Sequence, residues 1–258
     1  METVVDRLSG SFLKVRRAED QLNDLRNDFS TFLESDAYTL LEDEDDQSGE
    51  QVYSISLNKP LPLVWSVIVG EVLHDLRSAL DHMIYELVLH AGGTRTRTIQ
   101  FPILTSATGK GGFDTRGRQQ LAGVSPHGVS FIEALQPYPE RNPENQLHPL
   151  LVLAELSNAD KHRLLHLTTM VVDPSKIKMT PKSGGGGQFH IFTHAPIEDR
   201  TIFLRIRTSG TMQIVFEEAL RIAFLDGYVK TKAVDTTLTV LSEEVNKILA
   251  AANQELFN

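Results

Sequence analysis

The segment 61–91 constrains the fold most, because its apolar residues recur at steps of three and four. This stripe consists of Val69, Leu73, Leu76, Leu80, Met83 and Leu87. Such spacing places the side chains on one face of an α-helix, and that face must be buried against other elements. Pro60 and Pro62 mark its start, and Gly92 and Gly93 mark its end. The segment therefore predicts a long amphipathic helix in the core.

Other parts of the chain predict three more long helices and a sheet. The helical pattern recurs at about residues 4–34, 146–166 and 232–256. Runs of β-branched and aromatic residues predict a strand-rich insertion over about 167–217. The acidic segment 42–50 is expected to be a loop that joins two short strands. We therefore predict one α+β domain over 1–258, a long-helix bundle with a small antiparallel sheet inserted before the last helix.

Composition and charge exclude several classes of protein. The chain has no cysteine, which rules out disulfides, thiolate chemistry and cysteine-ligated zinc. Its formal net charge of −9 argues against a protein that coats nucleic acid, although a local basic site is compatible with it. The first residues do not resemble a signal peptide, and no apolar run is long enough to cross a bilayer. We expect a cytoplasmic protein that does not bind membranes.

A polar sector lies on the predicted helix 61–91, away from its leucine stripe. His74, Arg77, Asp81 and Tyr85 share one row of the helix, and His82 lies on the next row. Pairs such as Arg77 and Asp81 at i,i+4 are common on solvated helix faces. Imidazole, however, is the side chain best suited to proton transfer near neutral pH. The sector therefore predicts either a solvated face or an acid–base site.

The predicted helix 146–166 carries a carboxylate on its apolar face. Asp160 lies four or seven residues from several leucines, so we expect it to be buried. A buried carboxylate needs a cation or several hydrogen-bond donors, and Arg77 is the partner that helical geometry suggests. One function class follows from this pairing. The chain would be a non-catalytic binding or structural module held together by a salt-bridge network of Arg77, Asp81 and Asp160.

A metal site is a second alternative. His162 and His166 form an i,i+4 pair, which is the spacing that presents two imidazoles to one metal ion. His82 is a candidate for the third ligand. The spacing is similar to that of the three-histidine metal site in DinB-like helical bundles, and that similarity implies a helical-bundle metalloprotein.

The string Arg77-Ser-Ala-Leu-Asp-His82 resembles the R-x4–6-H motif of HEPN domains, a helical superfamily of toxins, phage-defence proteins and RNA-processing enzymes. The resemblance implies a homodimeric, metal-independent endoribonuclease or RNA-binding protein, without a cofactor, in a toxin–antitoxin or defence setting with a partner such as an antitoxin. His82 would act as acid or base and Arg77 would steady the phosphate. The expected supporting residues are Asp81, Asn158, Asp160, Lys161 and His162.

A second resemblance rests on three short motifs. The stretches 70–82, Phe101–Ile103 and 156–163 look like motifs of a widespread bacterial family that has no assigned activity. This resemblance implies a shared fold and a shared site, and it implies no particular reaction.

The segment 95–118 is basic and rich in glycine. It contains five cations and one acid, Asp114, and it reads either as a mobile surface loop or as a contact for RNA phosphates. The candidate RNA-binding residues are Arg95, Arg97, Lys110, Arg116 and Arg118.

Overall fold

The structure is a computed structural model in which the chain forms two compact units. It describes residues 7–94, 96–139, 147–183, 187–192, 200–215, 220–225 and 227–257. Unit 1 comprises residues 1–23, 67–165 and 238–258, and unit 2 comprises residues 24–66 and 166–237. The expectation of a single domain stays a prediction.

The four long helices are confirmed, with shorter bounds than predicted. They are α1 (Ser9–Glu34), α2 (Val64–His90), α5 (Pro149–His162) and α6 (Val234–Leu256). Two short helices, α3 (Arg118–Gln120) and α4 (Pro126–Ala134), lie between α2 and α5. The prediction of helix to residue 166 was wrong because the chain is extended from Arg163, the C-cap of α5. The predicted helical residues 4–6 and 146 lie outside the described part.

Unit 1 is helical, and its polar contacts show which helices are neighbours. Lys14 of α1 reaches Asp75 of α2, with 2.7 Å between Nζ and Oδ1. Ser242 of α6 donates to Glu19 of α1 at 3.1 Å. The predicted stripe of α2 is buried, and it is joined by Ile84, Phe101 and Phe113. The sequence pattern therefore identified the buried face of α2 correctly.

The basic segment before α4 has more regular structure than a loop. Residues Phe113–Gly117 form a π-helical turn that leads directly into α3. The hydroxyl of Thr115 donates to the Gly109 carbonyl at 2.8 Å and closes the preceding glycine turn. The buried Phe113 anchors this turn in the core of unit 1.

The described residues of unit 2 form eight strands in three antiparallel sheets. They are β1 (Tyr38–Asp45), β2 (Glu50–Leu57), β3 (Leu167–Val172), β4 (Lys178–Ser183), β5 (Gly187–Ile191), β6 (Thr201–Thr208), β7 (Thr211–Val215) and β8 (Leu220–Phe224). The largest sheet has the order β1-β2-β6-β5, and β3 pairs with β8 and β4 with β7. The antiparallel sheet character is confirmed.

Two predictions about the strands were wrong. The acidic segment 42–50 is not all loop, because its residues up to Asp45 continue β1 and pair with β2. The main sheet is not confined to the insertion, because β6 pairs with β2 from the early hairpin. Strand β8 begins at Leu220 and so lies beyond the predicted end of the strand-rich insertion.

Candidate functional site

Arg77 and Asp81 hold the backbone of one residue, Phe101, by its carbonyl and its N–H. Nη2 of Arg77 donates to the Phe101 carbonyl at 2.5 Å, and Asp81 Oδ1 accepts from the Phe101 N–H at 2.8 Å. The two side chains also pair with each other, with 3.2 Å between Nη2 and Oδ1. Three hydrogen-bonding groups thus satisfy one another while the Phe101 ring is fully buried. We call this arrangement of Arg77, Asp81 and Phe101 the Phe101 clip.

Burial dominates the electrostatics of the clip. The Arg77 side chain is 17% exposed and that of Asp81 is 34% exposed. Burial raises the pKa of Asp81, while Arg77, the Phe101 N–H, Lys161 and His82 oppose that rise. Burial lowers the pKa of Arg77, and Asp81 opposes that change. Each charge therefore depends on the other for its solvation, as expected for a desolvated pair.

Charges from both predicted motifs act on Asp81. Lys161 of α5 and His82 of α2 both lie close enough to Asp81 to lower the pKa of its carboxyl group. Both side chains are exposed, unlike Arg77. An imidazole and an ammonium group thus stand in solvent beside the clip. Such a pair can exchange a proton and attract an anion.

We expected Asp160 to pair with Arg77, and it does not. It lies against α2 at Gly70, where an added Cβ would come within 2.3 Å of Asp160 Oδ1. Burial raises the pKa of Asp160, and His74 opposes that rise. The expectation of full burial was also wrong, since Asp160 is half-buried. The three-residue network of Arg77, Asp81 and Asp160 is therefore replaced by the Phe101 clip and by a separate contact of Asp160.

The remaining predicted residues are exposed. Asn158 and His162 of α5 face solvent, as does His166 beyond it. Among the described residues, no group of three or more His, Cys, Asp or Glu side chains could hold a metal ion. The three-histidine alternative with His82, His162 and His166 therefore gains no support from the geometry.

The predicted RNA-contacting cations are exposed where the structure describes them. These are Arg97, Lys110, Arg116 and Arg118, and Arg95 lies outside the described residues. These cations belong to the segment 95–118, and the Phe101 clip attaches this segment to α2.

Two parts of the site, Phe101 and Gly70, lie in the motifs of the second resemblance, but the sequence assigned no role to either. Phe101 acts through its backbone, which no side-chain pattern displays. Gly70 was detectable, because a glycine in the middle of a helix costs about 1 kcal/mol relative to alanine and so indicates close packing. Asp160 lies four residues before Leu164, on the apolar face of its helix. A carboxylate at such a position also indicates close packing against another element.

Comparisons with known families, curated proteins and solved structures found no match to this chain. Among the described residues, no helix is long and apolar enough to cross a membrane.

Proposed function

We propose that the exposed face around His82 and Lys161 is a metal-independent RNA-cleaving site of the HEPN type. The observation that carries the proposal is the pairing of Arg77 with Asp81, with 3.2 Å between Nη2 and Oδ1, together with the charges of Lys161 and His82, which also lower the pKa of the Asp81 carboxyl group. Metal-independent RNA cleavage needs a proton acceptor near the 2′-hydroxyl and a cation near the developing phosphorane charge. His82 supplies the first group and Lys161 the second.

The reaction is an internal transfer of the phosphoryl group. The 2′-oxygen forms a bond to phosphorus as an imidazole takes its proton, and the bond from phosphorus to the 5′-oxygen breaks. The leaving oxygen gains a proton from an acid, which gives a 2′,3′-cyclic phosphate and a 5′-hydroxyl. One imidazole cannot accept and donate a proton in the same moment, so a second copy of the chain supplies the other His82. The protein therefore acts as a homodimer in this proposal.

Arg77 has a positioning role in this mechanism. Its Nη2 already bonds the Phe101 carbonyl, and the side chain is 17% exposed. It holds Asp81, and the charges of His82 and Lys161 in turn act on the Asp81 carboxyl group. A toxin or defence setting, in which a partner protein restrains the activity, is consistent with such a nuclease.

The test is cleavage of a mixed RNA pool in EDTA by the wild type and by His82→Ala and Lys161→Ala. Both variants should be folded, since both side chains are exposed, and both should lose activity. Loss of a general acid–base group typically costs about 100-fold or more in rate. His127→Ala is the matched control, because it removes another exposed imidazole of unit 1. Wild-type protein that leaves RNA intact, or equal cleavage by His82→Ala, would refute the proposal.

A second candidate function is a non-catalytic binding module, and the Phe101 clip favours it. If Arg77 and Asp81 only fix the Phe101 segment to α2, then Arg77→Ala lowers stability and no variant changes an RNA-cleaving activity. The RNA assay separates the two candidates, because only the nuclease proposal predicts loss of activity in a fully folded His82→Ala protein.

A further inference from the structure

A cleft of about 500 Å³ opens in unit 1, and the proposed nuclease chemistry does not use it. Residues from α1 and α2 line it, and Asp160 and Leu164 line it from α5 and the turn that follows. Its walls combine charged side chains with two apolar ones, Val67 and Leu164, which are 45% and 48% exposed. Such a mixture of an apolar wall and a few polar groups is typical of small-molecule sites.

Two of the acids in the cleft already have partners. Asp75 is paired with Lys14, with 2.7 Å between Oδ1 and Nζ. Glu71 Oε2 accepts from Gln21 Nε2 at 2.7 Å. Neither carboxylate needs a ligand.

Asp160 and Arg17 differ from those two acids. Both line the cleft, and within the described part of the chain neither makes a hydrogen bond or an ion pair. The half-buried Asp160 carboxylate has only the field of His74 to favour its charge. A carboxylate and a guanidinium that line one cleft without partners are complementary to a molecule that carries both opposite charges.

The close contact between Asp160 and Gly70 fixes the position of the Asp160 carboxylate in the cleft. A Cβ at position 70 would lie 2.3 Å from Asp160 Oδ1, so only glycine lets the carboxylate rest on the backbone of α2. Gln21, which is 8% exposed, lines the same cleft, and its Oε1 has no hydrogen-bond donor among the described residues. The orientation of this amide is fixed, because the carboxylate of Glu71 can only accept and therefore faces Nε2. Gln21 Oε1 is itself buried, so Asp160 is the acceptor that this cleft wall presents without a donor in the described part of the chain.

We propose that this cleft binds a small zwitterion, with its ammonium group at Asp160 and its carboxylate at Arg17. A free amino acid is the simplest molecule of this class. The apolar part of the ligand lies against Val67 and Leu164. The proposal is independent of RNA cleavage and would survive the loss of that function.

Isothermal titration calorimetry with the full chain tests the proposal. The ligands are leucine and the linear amino acids from glycine to ε-aminocaproate, which vary the distance between the two charges. Each is matched by the amine that lacks the carboxylate and the acid that lacks the amine. The proposal expects one amino acid of the series to bind best and both of its matched halves to bind about tenfold more weakly or worse.

Paired variants connect the binding to the cleft. Asp160→Asn and Arg17→Gln each remove one charge with little change of shape, and each should weaken binding of the best ligand about tenfold or more. Glu155→Gln on α5 and Arg16→Gln on α1 remove exposed charges of the same sign outside the cleft, and binding should not change. Thermal melts without ligand show that all four variants are folded. No binding by any zwitterion, equal binding of a matched half, or equal loss in the control variants would overturn the proposal.

Discussion

At the scale of single residues, Arg77 is the side chain on which most of the local structure depends. It joins a backbone carbonyl and a carboxylate, and both are partly removed from water. Such a group is stabilising only as part of a complete set of hydrogen bonds, and the loss of one member leaves the others without a partner. The structural role of Arg77 can therefore be measured separately from any chemistry.

We predict that Arg77→Ala lowers the free energy of unfolding by about 2–4 kcal/mol, because Asp81 and the Phe101 carbonyl lose their common donor. Chemical denaturation measures the change. Arg97→Ala removes an exposed guanidinium and should change stability by less than about 0.5 kcal/mol. Equal effects of the two substitutions would show that the Phe101 clip contributes nothing to stability.

Asp160 gives a prediction about pH. Burial raises its folded-state pKa from 3.8, and His74 opposes the rise. A carboxyl group of this kind stabilises the fold fully below its unfolded pKa, and that contribution is lost as the pH rises through the folded pKa. The wild type should therefore lose stability relative to Asp160→Asn as the pH rises from about 4 toward neutrality.

Thermal melts of both proteins across this range measure the difference in Tm. Titrating groups that do not interact with Asp160 contribute equally in both proteins and cancel in the comparison. A difference in Tm that stays constant with pH would mean that Asp160 titrates as if it were in water.

At the scale of secondary-structure elements, the acidic hairpin β1–β2 is connected to β6 by arginines. Arg205 Nη1 lies 2.8 Å from Asp45 Oδ2 and 3.6 Å from Glu50 Oε2. Arg207 Nη2 lies 3.3 Å from Glu50 Oε1. Two of the acids that the sequence places near a hairpin tip, Asp45 and Glu50, thus have partners across the sheet.

The pH dependence of an Arg205 variant tests this connection. The hydrogen bond from Arg205, together with the Gln47 N–H, lowers the pKa of Asp45 to about 2. A carboxyl group whose pKa is lower in the folded state stabilises the fold at any pH above its unfolded-state pKa. This contribution is lost as the pH falls through the folded-state pKa. Arg205→Gln should therefore lower Tm at neutral pH and have little effect near pH 2. Arg207→Gln, whose side chain is 62% exposed, is the control and should have the smaller effect at neutral pH.

The elements also show what the sequence could and could not predict. Helix α2 was predictable because its pattern is local and its apolar stripe spans the whole helix. The pairing of β2 with β6 was not, since Val52 and Arg205 are opposite each other in the register and distant in sequence. The sequence singled out the polar motifs on α2 and α5, and their functional role stays a prediction. In the structure, Arg77 binds the backbone of Phe101 and Asp160 lies against Gly70. The periodicity of side chains reveals neither contact.

At the scale of the whole molecule, the charge distribution determines how RNA could bind. The net charge is −9, so a bound RNA is repelled by most of the surface and attracted only by local cations. Counterion release makes the logarithm of the binding constant fall with the logarithm of salt concentration, by about 0.7 for each phosphate contact with a single strand. A small site around Lys161 should therefore give a shallow dependence on salt.

We predict a slope no steeper than about −3 for single-stranded RNA bound to His82→Ala, which should retain binding without cleavage. Fluorescence anisotropy over a range of salt concentrations measures it. Adding Lys161→Ala should make the slope shallower by about 0.7, because one phosphate contact per site is lost. Adding Lys110→Ala instead tests whether the basic segment also contacts RNA. The contrary outcome is a steep slope that is unchanged by Lys161→Ala and reduced by Lys110→Ala. It would show that RNA binds the basic segment and not α5, and that Lys161 has no role at the phosphate.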